Sequence, residues 1–182
     1  MTEAKKTFRR VVTGHDAEGR SCVLYESQTP NAFLRPSGSC FNEMWTIEDM
    51  PAPLKGNEDF ASAGRPFSHS PPLSGCHWRI SYTPSPPLQT EAEIKKEKEM
   101  HAEEAASGTE RKDGARHWKM HRTPSIDYAA CLLGERLLIL EDSDLVIRKG
   151  DVVIQLGNWH SWESSSPDPA IMGYVMIGGE YG

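Results

Sequence analysis

Six short segments with strand character crowd the last third of the chain, and their spacing constrains the fold more than any other feature. They cover residues 118–123, 126–132, 135–141, 145–147, 152–156 and 170–177. Gly, Asp, Ser or Pro separates them, and no stretch long enough for a helix lies between them. Short strands joined in this way indicate an antiparallel barrel or sandwich. We therefore expect an all-β fold.

The first half of the chain predicts fewer strands. Two β-rich runs within residues 8–25 flank a turn at 16–19, a pattern that predicts a hairpin. Residues 41–47 and 76–82 each predict a further strand. The Pro-, Ser- and Gly-rich residues 27–43 predict a loop.

Residues 91–116 consist almost entirely of charged residues and Ala. The Glu, Lys and Ala content favours a helix, but the near absence of apolar residues means that it can bury little. We expect a solvated helix or a disordered insertion, and not a binding element. The predicted organisation is one domain over residues 1–182, with N-terminal strands and loops in 7–90, the insertion in 91–116 and the barrel motifs in 117–178.

Composition argues against several classes of partner. The chain of 182 residues has a formal net charge of -6, whereas nucleic acids and anionic membrane surfaces favour basic proteins, so we expect neither partner. No apolar stretch approaches the roughly 18 residues of a membrane span, and the first residues lack the apolar run of a secretion signal. None of the four cysteines forms a C-x-x-C pair. We expect a reduced, cytoplasmic location.

Two histidines and one aspartate form the most informative constellation. His121 ends a predicted strand, Asp127 follows six residues later, and His160 follows a Gly-Asp turn and an apolar strand. Side chains that point into a small barrel meet there, so residues distant in sequence can bind one ion. Two imidazoles and a carboxylate are a common ligand set for a divalent transition metal with open positions. A histidine in a strand is also commonly a hydrogen-bonded core or surface residue, and spacing alone leaves both interpretations open.

The remaining histidines have less informative settings. His117 shares strand parity with His121 and could point into the same cavity. Four others, His15, His69, His77 and His101, lie in turns, loops or the charged stretch, and we do not expect them in a site.

Two stretches resemble the paired motifs of the cupin superfamily. The stretch from His121 to Glu135 resembles the first motif, which supplies two His and a Glu, and the stretch from Gly150 to His160 resembles the second, which supplies another His. By position His121 and His160 match the first and last His, and Asp127 takes the place of the Glu. The resemblance implies a cupin jelly-roll barrel, or double-stranded β-helix. It also implies iron, manganese, nickel or zinc at the barrel mouth on His121, Asp127 and His160.

Several positions depart from the cupin pattern. Thr123 stands where the second His is expected, Gln155 where Pro is usual, and Ser164 where Asn often follows the last His. The spacing from Gly150 to Gly157 is one residue short. These departures imply either a lower metal affinity than in a four-ligand cupin or a cavity without metal.

A closer resemblance extends over most of the chain outside the charged stretch. Residues 11–20, 44–46, 75–80 and 121–128 recur in the same order in small cupins of fungal polyketide clusters, which are labelled oxidoreductases or tailoring enzymes. This resemblance implies a role in secondary metabolism alongside a polyketide synthase and short-chain dehydrogenases. It does not identify the step.

The expected site has catalytic and substrate-binding parts. His121, Asp127 and His160 would be catalytic together with Tyr128, which lies next to the aspartate and could donate a proton or orient it. Polar and aromatic side chains near the motifs would bind substrate: Trp118, Thr123, Gln155 and Trp162. The tryptophans could equally fill the core.

We expect an enzyme that acts on a small organic molecule. A metal with open positions would suit oxidation, and the resemblance favours a cupin-type oxidoreductase, although dehydration, cyclisation or decarboxylation also fits these residues. The alternative is a metal-free cupin that binds or carries a hydrophobic intermediate. No Gly-x-Gly-x-x-Gly motif follows a strand, and we expect neither a nicotinamide nor a flavin cofactor. A homodimer could form by pairing of residues 7–12.

Overall fold

The computed structural model describes residues 5–54, 56, 58–61, 64–85, 90–104 and 108–181. These residues form thirteen β-strands and one α-helix. In chain order the elements are β1 (Arg9–His15), β2 (Ser21–Gln28), β3 (Asn31–Leu34), β4 (Cys40–Ile47), β5 (Cys76–Thr83), α1 (Glu91–Glu104), β6 (Glu110–Arg111), β7 (His121–Arg122), β8 (Ser125–Leu133), β9 (Glu135–Ile139), β10 (Asp144–Arg148), β11 (Val152–Leu156), β12 (Ser161–Ser164) and β13 (Ala170–Gly178).

The strands form one large and several small antiparallel sheets. The large sheet has the order β11-β8-β13-β5-β4-β3, and a three-stranded sheet has the order β10-β9-β12. Strand β1 pairs with β2, and β6 pairs with β7. Strand β13 lies between β8 and β5, so strands from the two halves of the sequence share one sheet. The expectation of an all-β, antiparallel barrel is confirmed, and the division into 7–90, 91–116 and 117–178 within one domain stays a prediction.

Alternation along β8 explains how the core and the site share one interior. The inward side chains change from the polar Ser125 and Asp127 to the apolar Ala129 and Cys131 along the strand. The two apolar residues pack with three other buried core side chains: Leu138, Ile147 and Met172. Because side chains alternate between the two faces of a strand, one end of the interior is a packed core and the other can hold polar groups.

The turn between β8 and β9 requires glycine. Gly134 has a φ of 67°, and a Cβ atom built there would lie 2.4 Å from the carbonyl oxygen of Pro169. Any side chain would therefore combine a strained backbone with a backbone clash. This turn fixes where β9 begins and which of its residues point inward.

The charged stretch is more ordered and better anchored than its composition predicts. Helix α1 begins with a capping box, in which Thr90 Oγ1 accepts from the Glu93 N–H and Glu93 accepts from the Thr90 N–H. Glu97 is 2% exposed and its carboxylate forms an ion pair with Arg35 at 2.8 Å. The helix was predicted as one alternative, but its expected lack of a buried contact is wrong, because a charged side chain can be buried when it is paired.

Strand pairing also corrects two sequence-based boundaries and confirms a third. The segment predicted as a strand over 118–123 is a strand only at β7, which pairs with β6 from within the charged stretch. The predicted loop over 27–43 contains β3 and the beginning of β4. The predicted hairpin of 8–25 is confirmed by the pairing of β1 with β2. Strand pairing over such distances overrides local propensity.

Candidate functional site

A cavity of about 120 Å³ lies in the polar half of the barrel. Side chains from the large sheet, from the three-stranded sheet and from α1 line it. Six of the eight residues predicted to form the site are among the lining residues: His121, Thr123, Asp127, Gln155, His160 and Trp162. The structure therefore brings together most of the residues that the two motif-like stretches contribute.

His121 and His160 are held side by side by their backbones. The N–H group of each donates to the carbonyl of the other, at 2.8 and 2.9 Å, and the ring centroids are 4.5 Å apart. Nδ1 of His121 lies 3.0 Å from the Lys119 carbonyl oxygen, and Nδ1 of His160 lies 2.9 Å from that of Asn158. Because a carbonyl oxygen only accepts, both Nδ1 atoms carry hydrogen and both neutral rings keep a lone pair on Nε2.

A third imidazole, from His69, completes the cluster. Its Nε2 atom lies 3.2 Å from Nε2 of His121, and the two ring centroids are 4.9 Å apart. The sequence interpretation excluded this residue because it lies in a loop among prolines, and that exclusion is wrong. No local spacing could reveal it, since the loop reaches the cavity only after β4 and β5 have paired.

Burial keeps all three imidazoles neutral. Desolvation and then the neighbouring imidazole hold the pKa values of His69 and His121 well below the usual histidine value. Burial lowers the pKa of His160 to about 4. At neutral pH the cluster therefore presents unprotonated nitrogen atoms, which are the form that binds a transition metal or accepts a proton.

The donor chemistry of the cluster fits a metal ion in part. The Nε2 atoms of His69 and His121, 3.2 Å apart, are close enough for both to bind one ion at the usual metal–nitrogen distance of about 2.1 Å. Backbone carbonyls that accept from Nδ1 are the usual outer partners of ligating histidines. Among the described residues, however, no three His, Cys, Asp or Glu side chains are already grouped as ligands of one ion.

The expected ligand set of His121, Asp127 and His160 is thus not assembled as predicted. Asp127 accepts from Ser125 Oγ at 2.7 Å, and Ser125 Oγ lies 2.8 Å from Thr123 Oγ1. The Asp127 carboxylate is therefore hydrogen-bonded to a side chain of its own strand, β8. Burial raises the pKa of Asp127, so the group holds a proton more readily than an exposed aspartate.

Gln155 lies beside Asp127 on the cavity wall, because the two residues are register partners in β11 and β8. Gln155 is 3% exposed, and neither its amide nitrogen nor its amide oxygen has a hydrogen-bond partner in the described part of the chain. Buried polar atoms without partners are uncommon in proteins. The amide is therefore available to a molecule in the cavity.

Helix α1 contributes two side chains to the wall of the cavity. Glu97 and His101, one turn apart, both line it. His101 also stacks edge-on against Trp118, with ring centroids 5.4 Å apart. The expectation that neither the charged stretch nor His101 takes part in the site is wrong.

Two predicted site residues lie elsewhere. Tyr128 is 45% exposed and lies on the outer face of the large sheet, because its side chain points away from that of its neighbour Asp127. Trp118 is also exposed and contacts the amino groups of Lys98 and Lys119 with its ring. Neither side chain lines the cavity, so the structure does not bring Tyr128 and Trp118 together with the other predicted site residues.

Comparison with known proteins places the chain near fungal cluster proteins. No family model matches it. It is 23% identical over 179 residues to the cupin-domain-containing oxidoreductase virC of Hypocrea virens, which covers 94% of this chain and 74% of that protein. Over 48 residues it is 44% identical to the phomopsin biosynthesis cluster proteins C' and D of Diaporthe leptostromiformis. That match spans about a quarter of the length of the phomopsin cluster proteins, 25%, and 26% of this chain.

Two solved structures are similar to this chain at low sequence identity. A putative ethanolamine utilization protein Q of Salmonella typhimurium is 9% identical, with a TM-score of 0.46 over 96% of this chain and 99% of that one. The cupin domain of Cnp3 of Schizosaccharomyces pombe is 10% identical, with a TM-score of 0.45 over 93% of this chain and 87% of that one.

The predicted resemblance to cupins is confirmed by the antiparallel barrel together with the similarity to a cupin-domain protein along nearly the whole chain. In the described part of the chain, no helix is both long enough and apolar enough to cross a membrane.

Proposed function

We propose that this cupin-superfamily protein is a tailoring enzyme of secondary metabolism that oxidises a small organic molecule in its cavity. We further propose that His69 and His121 hold a divalent transition metal, with His160 as the neighbouring third imidazole. One observation carries the proposal: three neutral imidazoles meet in the cavity, two of them with Nε2 atoms 3.2 Å apart. The reaction class is supported by similarity to a protein named an oxidoreductase.

A redox-active metal such as iron or manganese, when bound with open positions, supplies the capacity to oxidise an organic substrate with dioxygen. The residues of the chain supply the rest. The carbonyls of Lys119 and Asn158 fix the His121 and His160 rings through Nδ1. Ser125 Oγ orients the Asp127 carboxyl group, whose pKa is raised by burial, toward a role in proton transfer.

Metal content tests the proposal. The protein is purified without chelator and its bound metals are measured beside His69→Ala, His121→Ala and the control His15→Ala, which changes an exposed histidine of β1. Near-stoichiometric iron or manganese in the parent and in the control, with loss in both cavity variants, is the expected result. Equal metal in all four proteins would contradict the proposed site.

A second function is favoured by one specific observation. No three potential ligands are grouped among the described residues, and Thr123 occupies the place of the second cupin His. The second candidate is a metal-free cupin that carries an intermediate or transforms it by acid–base chemistry of the same histidines and Asp127. A parent protein that stays free of metal after incubation with Fe²⁺, Mn²⁺, Ni²⁺ and Zn²⁺ would select this candidate.

A further inference from the structure

Arg136 is a buried cation of the cavity wall that forms no ion pair with any carboxylate among the described residues. It lies on β9, where alternation points it inward, and it is 8% exposed. Its Nε donates to the carbonyl oxygen of Glu163 at 2.9 Å, and one terminal nitrogen donates to Thr83 Oγ1. The Glu163 carboxylate itself binds Lys119 at 2.7 Å. Within the described residues, no carboxylate forms an ion pair with Arg136.

The other cations of the cavity wall differ in this respect. Arg35 pairs with Glu97 at 2.8 Å, and Arg79 pairs with Glu43 at 2.5 Å. A buried charge without a counter-charge is costly for a folded protein. Burial lowers the pKa of Arg136, which reflects the same cost. An anionic group bound in the cavity would supply the counter-charge and remove this cost.

The surroundings of Arg136 fit an organic anion better than an inorganic one. Trp162 and Tyr174, with ring centroids 6.2 Å apart, line the same cavity. The Gln155 amide offers both a donor and an acceptor that nothing in the described chain uses. The cavity has a volume of about 120 Å³. This is close to the volume of about 150 Å³ of a protein cavity that accommodates a benzene molecule.

We infer that the substrate is a small organic acid of about one ring, whose carboxylate binds the Arg136 guanidinium and whose polar substituent hydrogen-bonds to Gln155. This inference rests on the proposal that the cavity binds a small organic molecule, but not on the metal. Guanidinium groups bind carboxylates through charge-assisted hydrogen bonds, which discriminate strongly against neutral groups of the same shape.

Benzoate and benzamide are matched probes, because they differ in charge at nearly constant shape. Their binding to chelator-treated protein is measured by calorimetry, so that no metal can bind the carboxylate. We expect benzoate to bind at least tenfold more tightly than benzamide to the parent protein. Arg136→Gln removes this preference, whereas Arg148→Gln, a change of an exposed arginine on the adjacent strand β10, keeps it.

The comparison of the two probes on the unchanged protein needs no variant that could misfold. A second variant, Arg136→Lys, has its fold checked by circular dichroism. It keeps a positive charge at the site, and we expect it to keep part of the preference for benzoate. Equal binding of both probes, no saturable benzoate binding, or a preference that survives Arg136→Gln would overturn the inference. Metal content is measured on the same preparations before chelation. A benzoate preference in protein that never held metal would preserve this inference while removing the metal site.

A second inference comes from the outer face of the large sheet. Cross-strand neighbours on this face form a continuous row, in which Ile154 pairs with Tyr128, Tyr128 with Val175, and Val175 with Trp78. Further apolar side chains flank the row. The apolar face, as we define it, consists of Trp78, Ile126, Tyr128, Leu132, Val152, Ile154, Leu156 and Val175, which are 37% to 72% exposed.

We propose that the apolar face binds the same face of a second copy of this chain. From these exposed fractions the face presents roughly 800 Å² of surface, more than the roughly 300–600 Å² of the largest patch on a typical monomer. It also matches the roughly 800 Å² that each partner contributes to a stable protein interface. No charged side chain belongs to the row, so two copies can meet face to face about a twofold axis without repulsion, despite the net charge of -6.

Sedimentation velocity tests this interface. The parent is expected to sediment as a dimer of the 20.3 kDa chain. Ile154→Glu, which introduces a charge at the centre of the face, is expected to sediment as a monomer. Val23→Glu, at an equally exposed valine on β2, is expected to stay dimeric. A monomeric parent, a dimeric Ile154→Glu protein, or dissociation by Val23→Glu alone would overturn the proposal, the last in favour of pairing through residues 7–12.

Discussion

His69 and His121 lie 52 residues apart in sequence, yet their Nε2 atoms are 3.2 Å apart in the cavity. Because Nδ1 of His121 donates to a backbone carbonyl, its Nε2 has a lone pair directed at the His69 ring. As the two neutral rings stand, a hydrogen bond between them requires the proton on His69 Nε2. A bound metal ion would take the place of that proton. His69 Nε2 therefore carries hydrogen when no metal is bound and would offer its lone pair when a metal is bound.

The first prediction concerns His69 as a ligand. We expect His69→Ala to lower the affinity for Mn²⁺ or Co²⁺ at least about tenfold, since loss of even an outer partner of a metal ligand costs that much. Titration of chelator-treated protein measures it, and the Co²⁺ absorption spectrum reports the number of nitrogen ligands. His77→Ala serves as the control, because His77 is buried nearby but hydrogen-bonds to Thr46 and to the Ser70 carbonyl. Unchanged affinity in His69→Ala would exclude it from the site.

Sequence reasoning was most successful where local signals and tertiary structure agree. The strands of the last third and the N-terminal hairpin follow from alternation and turn residues. The motif-like stretches placed His121, Asp127, Gln155 and His160 on the wall of one cavity. Asp127 and Gln155 lie on strands whose inward face the alternation already specifies, and an antiparallel bridge pairs His121 with His160.

Two residues that the sequence does not predict reach the cavity from outside those strands. His69 comes from a proline-rich loop and Glu97 from a charged helix, and neither has a local pattern that distinguishes it from solvated residues. Tyr128 was misplaced for another reason: adjacency in sequence to Asp127 suggested proximity, whereas neighbours in a strand point to opposite faces. Loop closure and buried ion pairing are tertiary effects, so a single sequence could not supply them.

The second prediction concerns Glu97 and the anchoring of α1. Removing one partner of a buried ion pair leaves the other charge uncompensated, so Glu97→Ala should release the helix. We expect amide hydrogen exchange within Glu91–Glu104 to become at least about tenfold faster, while exchange in β8 and β13 stays slow. Glu99→Ala is the matched control, since that glutamate is exposed and pairs only loosely with Lys95 at 3.9 Å. Equal acceleration in both variants would show that the buried pair does not hold the helix.

The third prediction concerns the tight turn at Gly134. Gly134→Ala combines a positive φ with a Cβ atom 2.4 Å from the Pro169 carbonyl oxygen, so we expect a loss of unfolding free energy above about 2 kcal/mol. Gly150→Ala has a φ of 95° but no heavy atom within 4 Å, and should cost about 1 kcal/mol from backbone strain alone. Urea denaturation measures both. If the two variants lose the same free energy, the clash with Pro169 contributes nothing.

The last prediction concerns the pH dependence of stability. Burial lowers the pKa of His77 to about 4, below its value of 6.5 when exposed. Between these two pKa values the His77 imidazole is protonated in the unfolded chain but not in the folded chain. The free energy of unfolding therefore falls as the pH falls. The stability that depends on the neutral His77 imidazole is fully present above pH 6.5 and is lost as the pH falls toward 4. From pH 7 to pH 4.5 we expect His77 to cost about 2 kcal/mol of unfolding free energy.

This cost is measured by urea unfolding of the parent and of His77→Gln at pH 7, 5.5 and 4.5. The comparison is needed because burial raises the pKa values of Glu43 and Asp127, and their protonation favours the folded state as the pH falls. These carboxyl groups are present in both proteins, so the difference between the two pH profiles isolates the imidazole. We expect the parent to lose more stability than His77→Gln on acidification. Parallel profiles would mean that His77 titrates equally in the folded and unfolded chain, which is incompatible with an imidazole buried between Thr46 and the Ser70 carbonyl.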